Sequence, residues 1–116
     1  GFKGHCDRKR NISDDLITRI AERGGLIGVG FWSEAVCGTD VTAIADAIAY
    51  GTETFGVEAV ALGSDWDGAV TTPIAANDLA YLTSALLKRG LSEDDIRAVM
   101  GGNTVRYFLE HLPTTD

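Results

Sequence analysis

Apolar residues recur along this chain at two different spacings, and the change in spacing predicts its secondary structure. From residue 13 to residue 23 they recur every three to four positions, which is typical of an amphipathic helix. Ser13 is a candidate cap for this helix, and Gly24-Gly25 ends it. Residues 26–32 then form an almost continuous apolar run containing glycines, which predicts a buried strand.

The same order of helix and strand then repeats. A loop at 33–39 precedes a helix that begins at Val41, with Asp40 or Thr39 as its cap, and extends to about Tyr50. Gly56 breaks the helical spacing. The apolar run 57–64 predicts a second strand that stops at Asp65.

The remainder of the chain predicts a loop followed by helices. Residues 69–76 show no apolar period and predict a loop at the carboxyl end of the second strand. A helix capped by Asn77 ends at Gly90, and Ser92 opens the next one, which runs to Met100. The segment 101–103 interrupts it before a last helix over 104–112.

The order of these elements indicates an α/β fold. Strands that alternate with helices form right-handed β-α-β units with a parallel sheet. Two strands with four to five helices are too few for a closed (β/α)8 barrel of roughly 250 residues. We therefore expect residues 1–116 to form a single segment from the end of a TIM-type barrel.

Charge and hydropathy exclude two classes of partner. The chain has a net charge of −7 and a sequence pI near 4.6, whereas a nucleic-acid-binding protein needs a basic surface to neutralise phosphates. No apolar run approaches the roughly 20 residues of a membrane-spanning helix, so no membrane segment is expected. The first residue is not Met and no signal-peptide pattern follows it, so we expect a longer parent protein.

Cys6 and Cys37 are the two cysteines of the chain, and they lack the Cys-x-x-Cys spacing. Two cysteines are too few for a disulfide scaffold. The sequence therefore predicts a reducing compartment, and we expect a cytoplasmic location.

Two carboxylates at the end of the second strand are the main candidates for chemistry. In parallel α/β folds the functional residues follow the carboxyl ends of strands, which is where Asp65 and Asp67 lie. In an extended backbone both side chains point the same way, so they could share a metal ion, or one could act as a base beside the other. The alternative is a polar turn with solvated acids.

Arg10 is a candidate for binding an anion, because it lies where a loop enters the first helix. Its planar guanidinium suits a carboxylate, although a surface arginine is the alternative. The adjacent His5, Cys6 and Asp7 are potential zinc ligands, but adjacent residues rarely converge on one ion as spaced ligands do, so we expect a surface loop there. His111 is expected to be a solvated helix residue, and the glycines of the first strand to serve close packing.

Four segments together carry a resemblance to a known family. They are Arg8-Lys9-Arg10-Asn11-Ile12-Ser13-Asp14-Asp15, Gly24-Gly25-Leu26-Ile27-Gly28-Val29-Gly30-Phe31-Trp32, Gly63-Ser64-Asp65-Trp66-Asp67-Gly68 and Gly101-Gly102-Asn103-Thr104-Val105-Arg106. In this order they resemble the C-terminal part of the membrane (renal-type) dipeptidases, along essentially the whole chain. Any one of them would be weak by itself.

The resemblance implies a zinc-dependent dipeptidase built on an eight-stranded β/α barrel, in which a hydroxide bound to two metal ions attacks the peptide carbonyl. It implies that Asp65 is a metal ligand that handles the proton moving to the leaving amine. It implies that Arg10 holds the terminal carboxylate of the dipeptide. Asp67 and Trp32 are candidates for residues that contact and orient Asp65 and Arg10 without binding metal or substrate themselves.

The remaining ligands of that family are a His-x-Asp pair, a bridging glutamate and two histidines, which lie upstream of the matched segment. We therefore expect this chain alone to be inactive and not to bind both zinc ions. Another metal-dependent barrel that hydrolyses a cyclic amide, and a non-catalytic α/β interaction module, remain as alternatives. The unpaired strand edges predict self-association, including a homodimer.

Overall fold

The computed structural model describes residues 1–115, which fold into helices packed around a small parallel sheet. The elements within these residues are α1 (Asp14–Ala21), β1 (Ile27–Val29), α2 (Ser33–Val36), α3 (Val41–Phe55), β2 (Val60–Leu62), α4 (Leu79–Arg89), α5 (Glu93–Arg97) and α6 (Asn103–His111). Short 3₁₀ turns cover Val57–Ala59 and Ala76–Asp78, and a π-type turn covers Ala98–Gly102.

The two strands pair in parallel, which confirms the predicted α/β class. Their register places Gly28 opposite Ala61, and the ladder extends by one bond in which the Gly63 N–H donates to the Val29 carbonyl at 2.9 Å. A Cβ on Gly28 in β1 would lie 3.2 Å from the Cα of Gly63. The predicted role of the first-strand glycines in close backbone packing is therefore confirmed for Gly28.

The core lies between the sheet and two helices. The helical spacing of Ile44, Ala47 and Ile48 puts them on one buried face of α3, against which Leu82 and Leu86 of α4 pack. As predicted, the Asp40 carboxylate caps α3 by accepting a hydrogen bond from the Ala43 N–H at 2.9 Å. Gly90 ends α4 in the left-handed conformation, with φ = 100°.

Two predicted element boundaries were wrong. Residues 33–36 form the short helix α2 and not a loop, with its end at Cys37 held in the left-handed region at φ = 57°. Helix α3 continues past Tyr50 to Phe55, because Gly51 lets the helix pass directly over Phe2: a Cβ there would lie 2.6 Å from the Phe2 ring.

The predicted strands are also longer than the observed ones. The second run begins as the turn Val57–Ala59, and paired strand starts only at Val60. Two predicted caps are absent as well. The Ser13 side chain makes no capping bond although α1 begins directly after it, and Asn77 lies inside the turn Ala76–Asp78.

The predicted interruption near residue 101 is a change of helix type. The backbone leaves helical angles at Gly101 within the π-type turn, and α6 begins at Asn103. The side chain of Asn103 is buried and its Nδ2 donates to the carbonyls of Val57 at 2.7 Å and Val60 at 2.9 Å. This amide ties the start of α6 to the start of β2.

Cys6 and Cys37 form a disulfide, with their Cα atoms 5.5 Å apart and a separation of 31 positions in the chain. The sequence predicted a reducing compartment and no disulfide scaffold, so this disulfide was missed. Only the fold brings the N-terminal loop beside the end of α2. The cytoplasmic location stays a prediction.

Candidate active site

The carboxyl ends of β1 and β2 lie side by side, and the residues that follow them form one edge of the sheet. Phe31 follows β1 and is fully buried, whereas Trp66 follows β2 and is 39% exposed. Their rings meet edge to face, with centroids 5.6 Å apart and planes at 79°. This contact joins the two segments that carry the predicted site residues.

Asp65 lies in this edge, three residues beyond β2, and its side chain is half-buried. Its backbone is left-handed at φ = 65°, and its carbonyl accepts a hydrogen bond from the Gly68 N–H at 3.0 Å. The chain therefore turns sharply at Asp65, and its carboxylate folds back over Gly68, where a Cβ would lie 3.0 Å from Oδ1.

This turn changes the predicted relationship between the two carboxylates. The expectation that Asp65 and Asp67 point the same way was wrong, because it requires an extended backbone and the chain turns at Asp65. Asp67 is exposed within the turn. Asp65 is consequently the candidate for chemistry, and a supporting role for Asp67 stays a prediction.

The loop after this turn is anchored by Trp66. Its indole Nε1 donates to the carbonyl of Ile74 at 2.9 Å, and the Thr72 hydroxyl donates to the same carbonyl at 3.0 Å. Ile74 itself is buried. Residues 69–75 form a loop as predicted, whereas Ala76 already belongs to the 3₁₀ turn, and this anchor holds the loop beside the edge of the sheet.

Arg10 reaches the same edge from the N-terminal loop. Its guanidinium carbon lies 5.7 Å from the centre of the Trp32 ring, and Trp32 follows β1 by three residues. Trp32 is half-buried against the core, and Gly30 makes room for it: a Cβ on Gly30 would lie 2.1 Å from the ring. Arg10 is exposed, and a cation over an indole face is an attractive arrangement.

Two hydrogen-bonded side chains that sequence reasoning did not assign hold this loop. The first is Asn11, whose buried amide Nδ2 donates to the carbonyls of Cys6 at 2.8 Å, Glu34 at 3.1 Å and Ala35 at 3.2 Å. Arg10-Asn11 was noted for its arginine alone, and no pattern in the sequence marks the asparagine as buried.

The second is Asp14, in the first turn of α1. Its Oδ1 accepts from the Gly4 N–H at 3.0 Å, and its Oδ2 accepts from the Tyr50 hydroxyl. The bond to Asp14 raises the pKa of Tyr50 above its usual value of about 10, with burial and the negative charge adding to the shift. Asp14 thereby ties the N-terminal loop to α3.

Metal-binding residues do not cluster in the part of the chain that the structure describes. Within residues 1–115, no three His, Cys, Asp or Glu side chains converge on one point. His5 packs against Tyr50, Asp7 lies at the surface, and Cys6 is buried in the disulfide, so the expected surface loop holds for Asp7 and not for Cys6. As expected, His111 is exposed on α6.

Asp65 can supply one oxygen ligand at the strand edge, but one carboxylate does not satisfy the four-coordinate shell that zinc requires. Any zinc site here needs ligands from other segments.

Comparison with known proteins decides the family. The family model described as membrane dipeptidase, peptidase family M19, matches residues 1–112. This chain belongs to the membrane dipeptidase family. The resemblance carried by the four sequence segments is thereby confirmed.

Curated relatives support the same family. The chain is 34% identical over 105 residues to dipeptidase ataJ of Aspergillus terreus, a match that covers 84% of this chain and 26% of that protein. It is 28% identical over 109 residues to dipeptidase 3 of Macaca fascicularis, covering 89% of this chain and 22% of that protein. The chain thus spans about a quarter of the length of the relatives it matches.

Solved structures share the fold. An amidohydrolase from Pseudomonas aeruginosa superposes with a TM-score of 0.78 at 27% identity, over 90% of this chain and 42% of that chain. A metallopeptidase from Rhodobacter sphaeroides, solved with a phosphinate mimic of the dipeptide L-Ala-D-Ala, gives a TM-score of 0.80 at 21% identity, over 89% of this chain and 32% of that chain. No helix of residues 1–115 is long and apolar enough to cross a membrane.

Proposed function

We propose that this chain supplies part of the active site of a zinc-dependent dipeptidase, as the C-terminal part of a (β/α)8 barrel. The observation that carries the proposal is the common position of two groups in a membrane dipeptidase chain. Asp65 and the Arg10–Trp32 pair both lie at the carboxyl edge of the parallel sheet, where barrel enzymes place their chemistry.

Arg10 is proposed to bind the terminal carboxylate of the dipeptide. Among the ion pairs of residues 1–115, none involves Arg10, so its guanidinium donors face solvent and not an internal carboxylate. The Trp32 ring supports one face of the guanidinium and leaves its fork available. This arrangement suits a free carboxylate better than a neutral amide.

Asp65 is proposed to act on the scissile bond. Its carboxylate follows the end of β2, and the turn to Gly68 fixes the backbone from which it projects. A carboxylate held there can act as one metal ligand and can transfer a proton to the leaving amine. The turn that carries it is joined to β1 through the Phe31–Trp66 contact.

Zinc is proposed to be the metal, with Asp65 as one ligand and the remaining ligands outside residues 1–115. When bound, zinc would polarise the peptide carbonyl and lower the pKa of an attacking water. Since this chain supplies a single ligand, we expect it to be inactive alone. The catalytic unit is then the intact protein that contains this segment.

Two assays test the proposal on the intact protein. Metal analysis after dialysis is expected to find two zinc ions per intact protein and fewer than two on residues 1–116. Hydrolysis is expected for a dipeptide with a free carboxylate, and much weaker for the same dipeptide with a C-terminal amide or for a cyclic amide. Preference for the cyclic amide would favour the other barrel hydrolases, and absence of both metal and turnover would favour an interaction module.

A further inference from the structure

Two polar side chains, Asn11 and Asn103, are the buried ones among the described residues, with exposed fractions of 7% and 4%. Both use their Nδ2 atoms to donate to backbone carbonyls of neighbouring elements. A buried amide that bridges several carbonyls ties the segments it touches together, since each carbonyl would otherwise lose its partner. The two asparagines differ in what they tie.

Asn11 ties the loop that carries Arg10. The Asn11 N–H donates to the Arg8 carbonyl at 3.1 Å, which closes a turn with Lys9 and Arg10 at its tip. The Asn11 side chain then fastens this turn to Cys6 on one side and to the carbonyls of Glu34 and Ala35 in α2 on the other.

Helix α2 starts directly after Trp32. The α2 carbonyls that hold the turn therefore lie close in the chain to the ring that supports the Arg10 guanidinium. Asn11 thus fixes the base of the Arg10 side chain relative to the ring on which its guanidinium lies. The Arg10 side chain is exposed, so the position of its base is what limits the region its fork can reach.

We infer that Asn11 is a positioning residue for Arg10: it holds the 8–11 turn against α2 so that the guanidinium stays above Trp32, oriented for the carboxylate of a dipeptide. This inference rests on the proposed function for its substrate. Because Asn11 is buried, its effect on binding is exerted through Arg10.

The inference predicts a specific kinetic signature. Loss of a contact to the terminal carboxylate weakens ground state and transition state equally, which raises KM and leaves kcat unchanged. A merely structural role would lower the amount of folded enzyme, and would leave KM of the folded fraction as it was. The effect should also vanish for a dipeptide amide, which has no carboxylate for Arg10 to hold.

The test compares Asn11→Ala with Asn103→Ala in the intact protein. The control, Asn103→Ala, removes a buried amide of the same kind at the start of β2, away from the carboxyl edge of the sheet. We expect Asn11→Ala to raise KM about tenfold with kcat within about twofold, and Asn103→Ala to leave KM unchanged despite a comparable loss of stability. In an Arg10→Lys background Asn11→Ala should add little, because the two act as a unit. An unchanged KM in Asn11→Ala, or an equal rise in Asn103→Ala, would overturn the inference.

A second readout does not depend on activity. The side-chain protons of Arg10 should show the upfield NMR shift of groups that lie over an indole ring, and Asn11→Ala should abolish it while Asn103→Ala keeps it. If the intact protein hydrolyses no dipeptide, the proposed function fails and this shift alone decides the positioning role. If Asn11→Ala does not fold, Asn11→Ser, which keeps one hydroxyl donor, should show a partial loss, and a full wild-type shift there would contradict the inference.

Discussion

The rings of Phe31 and Trp66 meet edge to face, with centroids 5.6 Å apart, although 35 positions separate the two residues in the chain. Phe31 follows β1 and precedes Trp32, on which Arg10 lies, while Trp66 directly follows Asp65. One aromatic contact therefore joins the segment that positions the proposed carboxylate-binding group to the segment that positions the proposed catalytic carboxylate.

Replacing Arg10 by Lys should weaken dipeptide binding in the intact protein. The charge is kept but the bidentate fork is lost, so KM should rise about tenfold or more with little change in kcat. Steady-state kinetics measure this, with Lys9→Arg on the same turn as the control, which should behave like wild type. Equal KM values for wild type and Arg10→Lys would return Arg10 to an ordinary surface residue.

The Cys6–Cys37 disulfide should stabilise the fold. It closes a loop of 31 positions, for which the chain-entropy model gives about 3–4 kcal/mol. Urea unfolding with and without reductant should show this loss in wild type, whereas a Cys6→Ser/Cys37→Ser double variant should be insensitive to reductant. A wild-type midpoint that does not respond to reductant would show that the pair contributes no stability.

Tyr50 should make stability depend on alkaline pH. Its pKa is raised in the folded chain by the bond to Asp14, so its contribution to the free energy of unfolding is fully present below about pH 10, the unfolded value. That contribution is lost as pH rises through the higher folded value.

Unfolding curves of wild type and Tyr50→Phe should therefore differ by a constant amount below about pH 10 and converge above it. In an Asp14→Asn background the same substitution should have a smaller effect. A difference that is independent of pH up to about pH 12 would contradict this assignment.

The isolated chain should self-associate through α6. Val105, Phe108, Leu109 and Leu112 recur at helical spacing and are all more than half exposed, and the two strands leave unpaired edges. Size-exclusion with light scattering should find species larger than a monomer. Leu109→Glu should reduce their size, whereas Tyr81→Glu on α4, where a single aromatic is exposed, should not; a monodisperse wild-type monomer would argue against the proposed barrel contacts.

The alternating elements could be predicted from the sequence because they depend on local spacing. A window of a few residues is enough to recognise the amphipathic spacing of α3 and α4 and the continuous apolar runs at β1 and β2. The ends of these elements depend on distant contacts. Helix α3 extends to Phe55 because Phe2, remote in the chain, packs over Gly51.

The candidate site shows the same difference between local features and features set by distant contacts. Asp65 and Arg10 were predicted because strand ends and helix entries are local features. Three features were missed, since each depends on which segments the fold brings together. They are the disulfide, the hydrogen bonds of the Asn11 amide to three carbonyls, and the left-handed turn at Asp65.

Asp65→Asn in the intact protein tests the central claim most directly. Asn tolerates the left-handed conformation as Asp does, so the melting curve should stay close to wild type. Because the amide loses the charge and the ability to transfer a proton, kcat for a dipeptide should fall at least about a hundredfold. Asp94→Asn, at a highly exposed position on α5, should keep wild-type kinetics. A folded Asp65→Asn enzyme with near-normal kcat would contradict the assignment of catalysis to this edge of the sheet.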